Sequence, residues 1–176
     1  MAGLNLLLTG RPGVGKTTLL MSVVERLRGS LHLAGFTTAE SRDPSGERTG
    51  FGILTIEGKQ AELARAGLRS STRVGRYGVN LEAFERLALP ELARRSVDLI
   101  LIDEIGKMEC ASHRFCRAVE DALDAEVSVL ATLGISRLPF LESVRSRPDV
   151  ELLTLTERNR NALVLELCSR FDSSRH

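Results

Sequence analysis

The stretch LILIDE at residues 99–104 sets four apolar residues directly before two acids, Asp103 and Glu104. A carboxylate buried without a partner costs several kcal/mol. The pair therefore belongs at the rim of the interior, with a cation, donors or water beside it. A second stretch, GRPGVGKT at residues 10–17, has the matching chemistry and fits the phosphate-cradling pattern G-x-x-x-x-G-K-[ST]. Gly10 lets the chain turn sharply, and Gly13 and Gly15 let backbone N–H groups curl around an anion with no Cβ in the way. A helix starting near Lys16 would add its positive end.

Within this pattern each side chain has an expected task. The Lys16 ammonium reaches the β- and γ-phosphates, Thr17 joins the shell of a Mg²⁺ ion, and Thr18 stands near the α-phosphate. Gly10, Arg11, Pro12, Gly13, Val14, Gly15, Lys16, Thr17 and Thr18 are thus the candidate nucleotide-binding residues, together with Asp103 and Glu104. In a parallel sheet, ligands sit beyond the carboxyl ends of the strands, so both stretches can face one crevice. Asp103 then serves the metal through its water shell, alongside Thr17. Glu104 is left to accept a proton from, or orient, an attacking water. The competing reading of Glu104 is a solvated or salt-bridged surface acid.

The elements that must hold these groups follow from periodicity. LNLLLT, residues 4–9, reads as a strand, and TLLMSVVERLR as a helix running up to Gly29. LHLAGFTTAE and GFGILTIEG read as two strands around the turn chemistry of DPSGER, which suggests an antiparallel hairpin. Residues 58–79, with scattered glycines and basic residues, suggest irregular structure with at most a short helix. Asn80 is an expected N-cap for LEAFERLA, with Leu81, Phe84, Leu87 and Ala88 on one face; Pro90 should kink that helix or start a second turn.

Beyond the strand at 97–102, helices are expected near 112–124 and 139–146 and strands at 127–132 and 150–155. Phe115, Val119 and Ala122 should form the apolar face of the first of these helices. Thr156 should cap a last helix carrying Leu163, Leu167 and Phe171. Strands alternating with helices, several too apolar for a one-sided sheet, predict an α/β fold with a mostly parallel sheet covered on both faces, plus an antiparallel hairpin. One domain over 1–176 is expected.

The 24 basic and 23 acidic residues nearly cancel, which argues against a global field for nucleic acid or an anionic membrane. Cys110, Cys116 and Cys168 lack metal-site spacing and are odd in number, so they read as reduced thiols. His32 and His113 read as structural, and His176 as a solvated tail residue. No signal-peptide pattern and no span of about 18 apolar residues is present, so a cytoplasmic location is the default. No Asn-Lys-x-Asp tetrapeptide reads guanine, so broad base tolerance across ATP, GTP, CTP and UTP is expected. Tyr77, Phe36 and Phe51 either stack on a base or pack in the core.

Several stretches together resemble the THEP1-type nucleoside-triphosphatases: TGRPGVGKTTL, GFTTAESR followed by RTGF, RVGRYGVN, LALPEL, IDEIGKME and a terminal NR. The resemblance implies a RecA-like P-loop three-layer sandwich, with an additional strand between the cradle strand and the Asp-Glu strand. It also implies slow, Mg²⁺-dependent hydrolysis of several nucleoside triphosphates. Two places depart from the family: Arg158 in TERNR stands where a Glu is usual, and Gly134 in TLG where a Pro is usual. Arg48 and Arg73 match their family surroundings best, which makes them the first candidates to meet charge on the γ-phosphoryl group, ahead of Arg42 and Arg76.

Lys107 and Glu109 are given no chemistry. A small-molecule or nucleoside kinase and a nucleotide-dependent switch or RNA-associated module stay open as alternatives to the hydrolase. A monomer is expected.

Overall fold

A computed structural model describes residues 3–173; His176 lies outside them. The chain order begins with β1 (Asn5–Thr9), α1 (Lys16–Leu27), β2 (Leu33–Arg42), β3 (Arg48–Thr55), β4 (Gln60–Ala66), β5 (Arg73–Val74), β6 (Tyr77–Val79) and α2 (Leu81–Leu92). It continues with β7 (Leu99–Ile105), a 3-10 turn at Glu109–Ala111, α3 (His113–Leu123), β8 (Ser128–Leu133), α4 (Pro139–Arg145), β9 (Val150–Thr154) and α5 (Arg160–Ser173). All nine strands join one sheet in the order β5-β6-β4-β3-β2-β7-β8-β1-β9. Strands β2, β7, β8, β1 and β9 run parallel, and β3 to β6 extend the sheet antiparallel.

The central strands are buried on both faces, as their unbroken apolar sequences require. Leu6 and Leu8 of β1 and Leu99 and Leu101 of β7 point toward α1 and α5, where Leu20, Val24, Leu167 and Phe171 meet them. Leu7, Ile100, Ile102 and Val129 point to the other face, onto Phe84, Phe115, Val119 and Leu141 of α2, α3 and α4. This gives the expected three layers. Strand β8 lies between β1 and β7, so the cradle strand and the Asp-Glu strand are separated by one strand.

Local signals are recovered where side chains close a helix end. The Asn80 side chain accepts from the Ala83 N–H at 3.0 Å, and Ser112 accepts from the Phe115 N–H at 3.0 Å. Thr156 caps a turn ahead of α5: its hydroxyl accepts from the Asn159 N–H at 3.3 Å while Asn159 Oδ1 accepts from the Thr156 N–H at 2.8 Å. Pro90 neither ends nor splits α2, which runs continuously to Leu92. Pro90 and Arg86 are both exposed, so the turn that lacks the proline N–H lies on the outer side of the helix.

Residues 58–79 differ from expectation, since β4, β5 and β6 lie there. The register shifts between Phe51 and Gly52, so that Ala64 faces Phe51 while Glu62 faces Gly52. This bulge buries the consecutive residues Leu63 and Ala64 and erases the period-2 pattern that marks a strand.

Phe36, one of the candidate stacking residues, belongs to the core. Its ring meets Phe84 at 5.7 Å and Phe115 at 6.1 Å, both edge-on. Phe36→Ala should therefore cost about 3–5 kcal/mol in urea denaturation; a loss below about 1 kcal/mol would show that this cluster does not hold the sheet to α2 and α3.

Candidate active site

The carboxyl ends of β1, β2, β7 and β8 open onto a cleft of about 430 Å³. Gly13, Lys16 and Thr17 line one side, Asp103 and Glu104 its floor, and Thr38, Glu40 and Phe51 the opposite side. Gly13 and Gly15 take positive φ values of 78° and 101°, which bend the loop so that α1 starts at Lys16. A side chain at position 15 would meet the Arg160 guanidinium at 3.0 Å. Arg160 also donates to the Val14 carbonyl at 3.4 Å, so the start of α5 braces the loop from behind. Lys16 folds back over the loop, its ammonium donating to the carbonyls of Gly10 at 3.0 Å and Arg11 at 3.2 Å.

Asp103 is 2% exposed, and donors surround it. The Thr17 hydroxyl donates to its Oδ2 at 2.6 Å and the Thr132 hydroxyl to its Oδ1 at 2.6 Å. Burial pushes its carboxyl up from the usual range, while the bonds from Thr132 and Thr17 and the Lys16 charge pull it down. The peptide joining Asp103 to Glu104 is cis. Glu104 is pushed up first by burial and then by the Asp103 charge, with Lys16 opposing. Its side chain makes no hydrogen bond to another described residue and faces the cleft.

Glu109 is a third acid in this row. It is 4% exposed, and burial, followed by the charges of Glu104 and Asp103, raises its carboxyl to about 8.

Among the described residues no group of three or more His, Cys, Asp and Glu forms a protein cage for a metal. Thr17 and Asp103 nonetheless make a donor pair suited to Mg²⁺, which commonly takes one or two protein oxygens and completes its shell with phosphate oxygens and water.

Arg48 stands near this cleft through Glu40. Its guanidinium pairs with Glu40 at 2.5 Å and lies 5.7 Å from the centre of the Phe51 ring, while Arg42 pairs with the same Glu40 at 2.6 Å. Arg73 lies on the short outer strand β5, is exposed, and donates to the Arg76 carbonyl at 3.1 Å; it is not among the residues lining the cleft. Arg76 pairs with Glu47 at 2.5 Å and lies over Tyr77. Tyr77 meets Phe51 edge-on at 5.2 Å, so of the two aromatic candidates left, only Phe51 lines the cleft.

A second cavity, of about 950 Å³, lies on the other side of the cradle against Thr154, Thr156, Glu157 and Arg158. Arg11, Pro12 and Val14 line it. Sequence reasoning left Glu40 and Glu109 without a role and did not reach the Arg160 brace. The signal for Thr132 was a polar residue in an otherwise apolar strand run, VLATL.

A five-stranded parallel core, a glycine-rich cradle on β1 and an Asp-Glu pair on β7 with one strand between them define a P-loop nucleoside-triphosphatase fold of the additional-strand type. A family model described as NTPase matches residues 5–168. The chain is 45% identical over 168 residues to the nucleoside-triphosphatase THEP1 of Thermotoga sp. (strain RQ2), covering 94% of each chain. The crystal structure of THEP1 from Aquifex aeolicus superposes with a TM-score of 0.83 at 40% identity, over 95% of this chain and 98% of that one. The solution structure of a human cancer-related nucleoside triphosphatase gives 0.83 at 38% identity, over 98% and 99%. This chain belongs to the THEP1-type nucleoside-triphosphatase family.

Glu109 makes stability depend on pH in a definite direction. Between its ordinary value of 4.5 and its folded value of about 8, the unfolded chain has lost this proton while the folded chain keeps it. The folded state then binds more protons, so stability is full below the ordinary value and falls as pH rises toward 8. Thermal denaturation across this range should show a steeper decline for the wild type than for Glu109→Gln. Parallel declines would contradict the assignment.

Proposed function

We propose that this chain hydrolyses nucleoside triphosphates to the diphosphate and inorganic phosphate, using the cleft between the cradle and the Asp103–Glu104 pair. The observation that carries this reading is the 2.6 Å bond from Thr17 to Asp103, which joins the start of α1 to the end of β7 in the same cleft that Glu104 faces. The nucleoside-triphosphatase names of the relatives favour it over a kinase or a nucleotide-timed switch.

The backbone N–H groups from Gly13 to Thr17 bind the β- and γ-phosphate oxygens, and Lys16 exchanges its two carbonyl partners for the same oxygens. Thr18 serves the α-phosphate side. Thr17 and Asp103 would hold Mg²⁺, which supplies neutralising charge on the β- and γ-oxygens when bound. Glu104 orients a water in line with the γ-phosphorus and takes its proton as the new P–O bond forms. The bond from the γ-phosphorus to the β–γ bridging oxygen breaks, and its electrons leave with the diphosphate.

Arg48 meets the charge on the γ-phosphoryl oxygens once it leaves Glu40. Arg73 is the weaker candidate for this role, since its side chain is engaged on β5.

The base is assigned to the cavity at Thr154–Arg158, next to Arg11, Pro12 and Val14. Its lining holds no aromatic ring, a composition that suits weak discrimination between bases. Among the described residues no helix is long and apolar enough to cross a membrane. With charges nearly balanced, we further propose a cytoplasmic, single-domain monomer that acts without nucleic acid.

Glu104→Gln should lower single-turnover hydrolysis by about 10²-fold or more while nucleotide affinity stays within about threefold. Hydrolysis within about threefold of wild type would refute the role of Glu104. Phosphate release with ATP, GTP, CTP and UTP should give kcat/KM values within about tenfold of one another; a spread beyond about 10³-fold would mean that the second cavity reads the base.

A further inference from the structure

Glu104 has no hydrogen-bonding partner of its own on the cleft side, yet a base that orients water must be held to a narrow range of directions. Behind it stands Glu109. At Gly106 a Cβ would lie 2.5 Å from Glu104 Oε1 and 2.8 Å from Glu109 Oε2. The two carboxyl groups therefore converge on the space that the missing side chain vacates.

Glu109 is itself fixed. The backbone N–H groups of Gly106 and of Glu109 itself stand close enough to its carboxyl to draw it down against burial. The Gly106 carbonyl accepts from the Cys110 N–H at 2.9 Å, which closes the turn. Gly134, whose N–H donates to the Ile105 carbonyl at 3.0 Å, backs the same turn from β8. Ser112 then caps α3 and donates to Glu85 at 2.6 Å, tying the segment to α2.

No cation stands among the causes acting on Glu109, and the charged groups that act on it are Glu104 and Asp103. A buried acid in such company carries its proton at neutral pH and is a donor as well as an acceptor. The two backbone N–H groups beside it can meet acceptor sites only, which leaves the O–H for a carboxylate oxygen.

We propose that Glu109 is a positioning residue for hydrolysis, holding the Glu104 carboxylate from behind through the Gly106 turn so that its free oxygen faces the water site. This rests on the reading of Glu104 as the group that activates water. An amide at position 109 keeps both an acceptor for Gly106 and a donor for Glu104; an isosteric apolar side chain keeps neither. A methyl group at 106 would push the end of the Glu104 side chain away from this position.

The test is single-turnover hydrolysis and nucleotide affinity for Glu109→Leu, Glu109→Gln, Glu109→Met and Glu104→Gln, with the Glu104→Gln/Glu109→Leu double variant. Glu109→Leu should lower the hydrolysis rate about 10- to 100-fold with affinity within about threefold, and Glu109→Gln should stay within about threefold of wild type. In the Glu104→Gln background, Glu109→Leu should add less than about twofold. Should the leucine variant not fold, Glu109→Met carries the test, with the same loss of rate at unchanged affinity.

Leucine at 109 retaining the wild-type rate, or glutamine losing as much as leucine, would overturn the proposal while leaving Glu104 in its role. A Glu104→Gln variant with the wild-type rate would instead overturn the reading of Glu104 itself.

Discussion

The structure turns on one buried carboxylate. Asp103 follows four residues of β7 that are all inside, and it tolerates that place because two hydroxyl groups donate to it, one on each oxygen. The donors come from distant parts of the chain: Thr17 at the start of α1 and Thr132 near the end of β8. For all three to meet, β8 must sit beside β7, and the cradle must close over their carboxyl ends. The strand order β7-β8-β1 satisfies that requirement. An apolar residue at position 103 would leave the buried Thr132 hydroxyl and the more open Thr17 hydroxyl without their acceptor and would remove the negative charge beside the cradle.

Among the described residues, three acids gather at the same end of the sheet without an ion pair to an arginine. Burial raises Asp103, Glu104 and Glu109, and charge adds to it along the row, from Asp103 onto Glu104 and from both onto Glu109. Lys16 is the cation that acts on the first two. Elsewhere acids are routinely matched by arginines, as at Glu151 with Arg170 or Asp149 with Arg147. Concentrating unmatched acids at one end of the sheet costs stability, a cost commonly found where a fold keeps groups for function. Glu40, with two arginines attached, shows the opposite arrangement across the same cleft.

Much of this was legible in the residues. The cradle, the Asp-Glu pair, the buried strands and the Asn80 cap each carry a local signature, because glycine spacing, an abrupt end to an apolar run and a cap residue depend on a few neighbours in sequence. The β4 strand was not legible, since a bulge at Leu63 breaks the alternation by which strands are recognised. Pro90 lies inside α2 at an exposed position and does not interrupt the helix. Glu109 could not be read as buried from its surroundings in sequence, KMECAS, which look like a surface loop; its burial follows from where α3 packs. Arg73 and Arg48 were indistinguishable in sequence and are separated only by the antiparallel extension, which leaves one on an outer strand and brings the other to Glu40 at the cleft.

The most direct test of the central claim measures the coupling between the cradle and Asp103. Calorimetric titration of ATP into the wild type and Asp103→Asn, each with and without Mg²⁺, isolates the part of the binding energy that needs both sites. The account predicts a clear gain in affinity from Mg²⁺ in the wild type and almost none in the variant, with metal-free affinity similar in the two. An equal gain in both proteins would mean that the carboxylate on β7 and the glycine loop on β1 do not serve the same ligand.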